Sequence, residues 1–265
     1  MRQTTTLFAA AALLAGFAQS ASAADLPIRK APPPPLPVFS WTGVYIGVHV
    51  GAGWGTKEWD QFINVPGVAV PGVAATPAFT LVTDSSHTVN GFLGGGQIGF
   101  NYQVGWAVWG AEFQISGADL KGRGNCGFIA LWNCNTKVDT IATLAARFGV
   151  TWNQTLIYVK GGGAYAHDKF DTNILGINVP GVIQPASLSD NRWGWMVGTG
   201  VELAINNNWS AKVEYNYMDL GTKNYVFNVV PAVPAFNNWE ITQRLHLIKF
   251  GLNYRFGWGP LVAAY

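Results

Sequence analysis

Eight segments of this sequence alternate between apolar residues and polar or small ones, and this period of two constrains the fold more than any other feature. In the first segment, Thr42–Gly55, the even positions from Val44 to Trp54 are apolar, and the odd positions are mostly glycine, tyrosine or histidine. The others are Phe92–Tyr102, Ala107–Gly117, Asp139–Thr151, Thr155–Ala166, Arg192–Ile205, Trp209–Tyr217 and Ile248–Phe256. A period of two places alternate side chains on opposite faces of a β-strand. We therefore predict eight strands, each with one apolar and one polar face.

The links between these segments alternate between short and long. The short links lie around Val104–Gly105, Trp152–Gln154 and Asn206–Asn208. The long links are Thr56–His87, Ala118–Lys137, His167–Asn191 and Leu220–Glu240. Short turns on one rim, long loops on the other and strands with one apolar face are typical of outer-membrane barrels. We predict an all-β fold: an eight-stranded antiparallel up-and-down transmembrane β-barrel with four long extracellular loops and short periplasmic turns.

Composition excludes several other classes of protein. Only 11% of the residues are charged, against about a quarter in ordinary soluble domains. A net charge of +2 supplies no basic face for nucleic acid. The sequence also contains no nucleophile elbow, phosphate loop or zinc-spaced pair, so we predict no catalytic residues, no metal site and no cofactor.

The two ends of the chain carry processing and linker signals. A short basic start, an apolar stretch and an Ala21-Ser22-Ala23 box predict a signal peptide over residues 1–23. Residues 24–40 contain five prolines within 32–37 and predict an extended periplasmic leader. The barrel then covers residues 41–256. Residues 257–265 form either a C-terminal tail or an extension of the last strand.

The polar faces of the predicted strands carry eight charged residues. These residues are Glu112, Arg147, Lys160, Glu202, Lys212, Glu214, Lys249 and Arg255. Charges facing lipid are costly, and the interior of an eight-stranded barrel is nearly filled by side chains. We therefore predict a charge network in the lumen in which acids and bases pair. The first interpretation is an ion-paired plug, and the second is a pathway for ions.

The cysteines and histidines lie mostly in the predicted links. Cys126 and Cys134 are the only two cysteines, and in an exported chain they predict one short disulfide. His87, His167 and His246 lie in or beside long links that share a rim, whereas His49 faces the lumen of the first strand. A shared extracellular ligand site is therefore a hypothesis for the three rim histidines, although isolated loop histidines are usually solvated.

Several motifs resemble a known family. They are Trp41-Thr42-Gly43-Val44-Tyr45-Ile46-Gly47, Gly95-Gly96-Gln97-Ile98-Gly99-Phe100, Gly198-Thr199-Gly200-Val201-Glu202, Asn208-Trp209-Ser210-Ala211-Lys212-Val213-Glu214-Tyr215 and Gly251-Leu252-Asn253-Tyr254-Arg255-Phe256. Together with the proline leader, they resemble the small outer-membrane immunogenic, or porin-family, β-barrels of alphaproteobacteria. The resemblance implies an OmpA-like membrane domain of a Gram-negative cell surface, without catalytic residues and with structural, adhesive or antigenic roles. Some members have been linked to haem binding.

One feature departs from that family. Its chains usually end at an aromatic residue that closes the last strand and is read by the barrel-assembly machinery. Here residues 257–265 follow Phe256, so either Phe256 closes the strand or Tyr265 is the terminal signal.

The sequence thus predicts a protein of the cell outer membrane with a structural or surface-interaction role and a largely plugged, ion-paired lumen. A narrow passive pore for small solutes is the alternative, and binding of haem or another ligand at the loops ranks below it. The predicted partners are outer-membrane lipid and lipopolysaccharide, the barrel-assembly machinery through the last strand, and a host or surface ligand through the loops. Nucleic acid is not among them.

Overall fold

The computed structural model describes residues 39–65, 79–125, 132–174, 186–226 and 238–256. The predicted signal peptide, residues 24–38 of the leader and the segment 257–265 lie outside these ranges. So does the predicted disulfide, because Cys126 is not among the described residues. Within the described ranges, none of the chain forms a helix of the length and apolarity needed to span a membrane.

Eight antiparallel strands form a single closed sheet. They are β1 (Gly43–Val65), β2 (Phe79–Val104), β3 (Ala107–Asn125), β4 (Trp132–Trp152), β5 (Thr155–Ile174), β6 (Ala186–Ala204), β7 (Trp209–Val226) and β8 (Asn238–Arg255). Each strand pairs with the next one along the chain, and β1 also pairs with β8, so the sheet has no open edge of the kind a flat sheet has. The predicted eight-stranded up-and-down barrel is confirmed.

Tight turns join the strands at one rim, which we call the turn rim. Gly105 (φ 59°) and Asn153 (φ 57°) each open a two-residue turn, because a tight hairpin requires positive φ and glycine and asparagine adopt it most readily. In the third turn, the Asn206 side-chain oxygen accepts hydrogen bonds from the backbone N–H groups of Asn208 (2.9 Å) and Trp209 (2.8 Å). We call the opposite end of the barrel the loop rim.

Toward the loop rim the strands are longer than predicted. β1 continues to Val65 instead of ending at Gly55, and β2 begins at Phe79 instead of Phe92. The predicted long links are therefore partly strand. The two-residue alternation continues past Gly55, but the outward residues become polar, as at Thr56 and Glu58. The apolar–polar alternation that predicted the strand therefore ends at the edge of the apolar band, whereas the strand itself continues beyond it.

The outer surface is an apolar band between two belts of aromatic side chains. The turn-side belt contains exposed Tyr102, Trp109, Trp152, Trp209 and Phe256. The loop-side belt contains exposed Trp54, Phe92, Trp193 and Trp195. Aromatic rings favour the headgroup level of a membrane, so these belts mark the two edges of the membrane-spanning band.

β-Bulges adjust the strands above that band. One bulge lies in β4, where Val138 pairs with Asp168 and Thr140 with His167, so that Asp139 is the extra residue. On the turn side of Asp139 the odd residues of β4 face inward, and on its loop side the even residues do. The bulge therefore turns Lys137 outward and Val138 into the barrel, which an unbroken alternation would have reversed.

Two adjacent glycines of β2 test how closely the neighbouring strands pack on the inner side of the barrel. A Cβ atom on inward-facing Gly95 would lie 1.9 Å from the Ile115 carbonyl oxygen, whereas one on outward-facing Gly96 would lie 3.7 Å from the Gly47 oxygen. We expect Gly95→Ala to lower the free energy of unfolding by about 1–3 kcal/mol, because the neighbouring backbone must shift. Gly96→Ala is the matched control and should change it little. Urea unfolding in lipid vesicles measures both, and equal stabilities would contradict the packing described.

Candidate functional site

The barrel interior is the candidate functional site, and all eight sequence-predicted charged residues are buried in it. Their exposed fractions range from 1% for Glu112 to 5% for Arg255. In a closed single-layer barrel, a buried strand residue faces the lumen. Six of the eight meet in one ion-pair network, namely Glu112, Arg147, Lys160, Glu202, Lys212 and Glu214. The other two, Lys249 and Arg255, make different contacts.

Two carboxylates and two ammonium groups form the centre of the network. Lys160 Nζ lies 3.1 Å from Glu112 and 2.6 Å from Glu214. Lys212 Nζ lies 2.7 Å from Glu112 and 3.2 Å from Glu214. Each charge therefore has two opposite neighbours, which is the arrangement that offsets the cost of removing charged groups from water.

Arg147 extends the network toward the turn rim. Its guanidinium donates to Glu202 at 2.9 Å and to the Tyr45 hydroxyl at 2.7 Å. The Tyr45 hydroxyl in turn donates to Glu112 at 2.8 Å. The guanidinium also lies 3.9 Å from the centre of the Tyr158 ring, whose hydroxyl donates to Glu214 at 2.9 Å. The two tyrosines thus connect the arginine to both central carboxylates.

Lys249 joins the network through a neutral side chain. Its ammonium donates to the Gln114 carbonyl oxygen at 2.7 Å. The Gln114 amide nitrogen then donates to Glu112 at 2.9 Å and to Glu214 at 3.2 Å. The network and Lys249 together contain four basic and three acidic side chains, so basic groups outnumber acidic ones by one in this layer of the lumen.

Arg255 lies apart from the network, at the turn rim. Its guanidinium donates to the Asn207 carbonyl oxygen at 2.9 Å and lies 4.5 Å from the Phe39 ring centre and 5.2 Å from that of Trp41. Trp41 packs with four other buried residues, Val108, Leu156, Tyr158 and Ala204. This cluster forms an apolar layer across the turn-rim end of the lumen, with Arg255 beside it.

A second apolar layer crosses the lumen on the loop side of the network. Its buried members are Val89, Leu93, Leu120, Val138, Ile141, Ala145, Ala164, Ala166, Met196, Met218, Leu220, Leu245 and Leu247. They come from β2 through β8. β1 contributes Gly53, where a Cβ would lie 2.6 Å from Leu247 and 3.1 Å from Leu120, so the absence of a side chain leaves room for both leucines.

A smaller polar cluster lies above the second apolar layer. Lys57 and Asp168 form an ion pair of 3.1 Å in which both side chains are fully buried. Arg192 donates to the carbonyl oxygens of Gly221 and Ile241, both at 2.7 Å. Sequence reasoning missed this cluster because all three charged residues lie in or at the edge of predicted links. The continued alternation at Lys57 and Trp59 was the signal that could have found it.

The histidines do not converge on one site. His87 faces the interior and lies 3.2 Å from the Thr136 hydroxyl. His167 and His246 face outward on β5 and β8, where they bond Asn191 (2.8 Å) and Tyr215 (2.7 Å). The hypothesis of a shared site for the three rim histidines is therefore not supported by their placement. Among the described residues, no three His, Cys, Asp or Glu side chains are grouped to hold a metal ion.

A closed eight-stranded barrel with an apolar exterior and buried charges defines an outer-membrane β-barrel. The family described as outer membrane protein beta-barrel domain matches residues 9–256, and the chain belongs to this family. Its localisation is therefore the outer membrane. Short turns of such barrels face the periplasm, so we assign the loop rim to the cell exterior.

Curated relatives agree with the family. The chain is 35% identical to the 31 kDa outer-membrane immunogenic protein of Brucella melitensis biotype 1 over 255 residues, 93% of this chain and 98% of the relative. It is 27% identical to the 25 kDa outer-membrane immunogenic protein of Brucella abortus biovar 1 over 97% of this chain and all of the relative. Among solved structures, the outer membrane protein OprG from Pseudomonas aeruginosa matches 81% of this chain and 96% of its own, with TM-score 0.50 and 16% identity. This last likeness concerns the fold.

Removing one central carboxylate tests the network. We expect Glu112→Gln to lower the free energy of unfolding by about 3–5 kcal/mol, because Lys160 and Lys212 each lose one of two carboxylate partners while fully buried. Urea unfolding in vesicles, followed by tryptophan fluorescence, measures the change. Asp119→Asn removes an exposed ion-pair partner and is the control, for which we expect little change. A Glu112→Gln protein as stable as that control would show that the network does not stabilise the barrel.

Proposed function

We propose that this protein is a structural, surface-interacting component of the outer membrane whose lumen is closed, and that it is neither an enzyme nor an open channel. The observation that carries the proposal is the second apolar layer, thirteen buried residues from seven of the eight strands. A hydrophobic constriction opposes the passage of hydrated ions because it favours the dry state. The layer lies in series with the ion-pair network, so a solute would have to cross both.

The ion-pair network supports closure for a separate reason. Four of its six members, Glu112, Lys160, Lys212 and Glu214, have fully buried side chains and lie within 3.2 Å of two partners each. A permeating ion would have to displace these contacts while the charges remain out of water. Breaking buried pairs costs several kcal/mol, which makes the network better suited to stiffening the barrel than to conducting.

The lumen chemistry also favours a role without catalysis. His49 Nε2 lies 2.7 Å from the Ser116 hydroxyl, an arrangement that resembles a base beside a nucleophile. Both side chains are buried, at 2% and 1% exposure, between the ion-pair network and the second apolar layer. A substrate has no access to Ser116 while both apolar layers remain closed.

The contacts of the last strand support a further part of the proposal. The Phe256 backbone N–H donates to the Val44 carbonyl oxygen at 2.9 Å, so Phe256 takes part in the seam between β8 and β1. We infer that Phe256 is the closing aromatic residue, that the assembly machinery binds this strand, and that residues 257–265 are a tail. The residues between strands at the loop rim are then the place for a host or surface ligand, in keeping with the name immunogenic given to the relatives.

A narrow passive pore is the second candidate, and one observation favours it. The network layer with Lys249 contains four basic and three acidic side chains, and this excess of basic groups favours the entry of anions into the lumen, so a conducting lumen would select anions. The two candidates therefore differ in a measurable way.

Conductance across a planar bilayer separates the two candidates. We expect the folded protein to give no steady single-channel current, because the second apolar layer is closed. We expect the triple variant Leu120→Ala, Leu245→Ala, Leu247→Ala to give brief currents with preference for anions, because it removes one of the barriers that lie in series. Leu120 and Leu247 meet over Gly53, and Leu245 lies over Gly55.

The matched control truncates a leucine that faces the lipid. Leu144 is 63% exposed on the outer surface, so Leu144→Ala should remain silent. Heat-modified electrophoretic mobility checks that each barrel has folded. A steady current from the unaltered protein, with ion selectivity changed by Glu112→Gln, would overturn the closed-lumen proposal and establish the pore.

A further inference from the structure

Three lysines form a row across adjacent strands on the outer surface. In the strand register Lys121 of β3 lies directly opposite Lys137 of β4, and Lys137 lies directly opposite Lys169 of β5. Their side chains point outward and are 60%, 45% and 51% exposed. We call these three residues the lysine row.

A row of like charges opposes the stability of the sheet. Directly opposite residues of neighbouring strands have Cβ atoms about 4.5–5.5 Å apart, and like charges at that distance are destabilising. The bulge at Asp139 makes the row possible, since it turns Lys137 outward. The fold thus places three ammonium groups side by side. A row in which acidic and basic residues alternate, and pair, would have been more stable.

Two carboxylates compensate the row in part. Asp119 lies 2.8 Å from Lys121 Nζ and 3.2 Å from Lys137 Nζ, and Asp139 lies 2.9 Å from Lys169 Nζ. The hydrogen bonds from Lys121 and Lys137 lower the pKa of the Asp119 carboxyl, so this carboxylate stays ionised. Each lysine ammonium has three N–H donors and one carboxylate neighbour among the described residues, which leaves donors on all three exposed side chains available to a ligand.

The row lies at the height of lipid headgroups. Lys169 is four residues beyond Tyr165, which packs against Trp193 of the loop-side aromatic belt with ring centres 4.9 Å apart. Four residues of a strand tilted as in such barrels rise about 10 Å. A lysine side chain is long and flexible, and its ammonium can follow the polar surface of the membrane.

The opposite side of the barrel carries mostly acidic side chains on its outer surface near the loop rim. Outward residues near the loop rim of β7, β8 and β1 include Glu58, Asp219 and Glu240 as acids, with Arg244 as the base that pairs with Glu58 at 3.4 Å. Farther out on the lysine side, exposed Arg123 and Asp171 offset one another. An anion at the outer leaflet is therefore attracted to β3–β5 and repelled from β7–β1.

We propose that the lysine row binds the phosphate groups of a phosphorylated glycolipid in the outer leaflet, of the chemical class of lipid A. Closely spaced ammonium donors complement phosphate oxygens, and the acyl chains of such a lipid would lie against the apolar band directly below. The site faces the membrane and is separate from the lumen, so the proposal holds whether or not the lumen conducts.

Native mass spectrometry of the folded protein in detergent, titrated with diphosphoryl lipid A, tests the site. We expect the triple variant Lys121→Gln, Lys137→Gln, Lys169→Gln to lose affinity roughly 100-fold, from about fivefold for each lysine near a charged lipid surface. The triple lysine-to-arginine variant should bind like the unaltered protein, because it keeps the charges. Heat-modified mobility verifies that each variant is folded.

Three further arms distinguish the lysine row from other sources of affinity. Arg244→Gln removes one positive charge from the opposite side and should leave the affinity unchanged, whereas a loss of about fivefold, the share expected for each lysine, would show attraction by total charge only. Lipid A stripped of its phosphates should bind weakly, and equal binding would assign affinity to the acyl chains. Free pyrophosphate should not displace lipid A at matched concentration, and displacement would make the row a site for soluble phosphates. An unchanged affinity of the glutamine variant would overturn the proposal directly.

Discussion

Closure of the backbone hydrogen-bond ring is the constraint on which the rest of this structure depends. In lipid, each N–H and C=O group must find its partner within the protein, and the pairing of β1 with β8 completes the ring. Closure in turn divides every strand into a lipid-facing and a lumen-facing set of side chains. Charges such as Glu112 and Arg147 must then share a narrow interior, and they are tolerated there only because each is matched by partners on other strands.

The sequence was sufficient to predict the parts of the fold that follow from alternation. Outward Val44 to Trp54 and inward Glu112 and Lys212 are placed by phase alone. Strand ends were less predictable. Thr56 and Glu58 are polar where the strand leaves the apolar band, and in the sequence alone such polar residues resemble a loop between strands. Single-residue bulges are also invisible to a periodic pattern, so the outward direction of Lys137 could not be predicted.

The composition of the lumen shows a second limit of sequence reasoning. The pattern of polar-in and apolar-out residues predicted a polar interior throughout, yet Leu245 and Leu247 are fully buried inside the barrel. Their inward phase is readable in the sequence, since both lie an even number of residues before Lys249. The β1–β8 register is continuous there, and the leucines belong to a layer assembled from seven strands. Such a layer is a property of the closed barrel, since no single strand contains more than three of its members.

The barrel also shows how side chains can replace backbone pairing where strands diverge. The β6–β7 ladder joins Trp195–Ala204 to Ser210–Asp219, while both strands continue toward the loop rim. Above this ladder Arg192 of β6 donates to Gly221 of β7 and to Ile241 of β8, and Lys223 pairs with Asp190 at 2.7 Å. A guanidinium has five N–H donors on a long stem, so it can satisfy carbonyl groups across a gap that a backbone amide cannot reach. These contacts of Arg192 and Lys223 lie beyond the aromatic belt, where water can form the hydrogen bonds that the backbone groups still lack. Within the membrane-spanning band, by contrast, closure is made by the backbone itself.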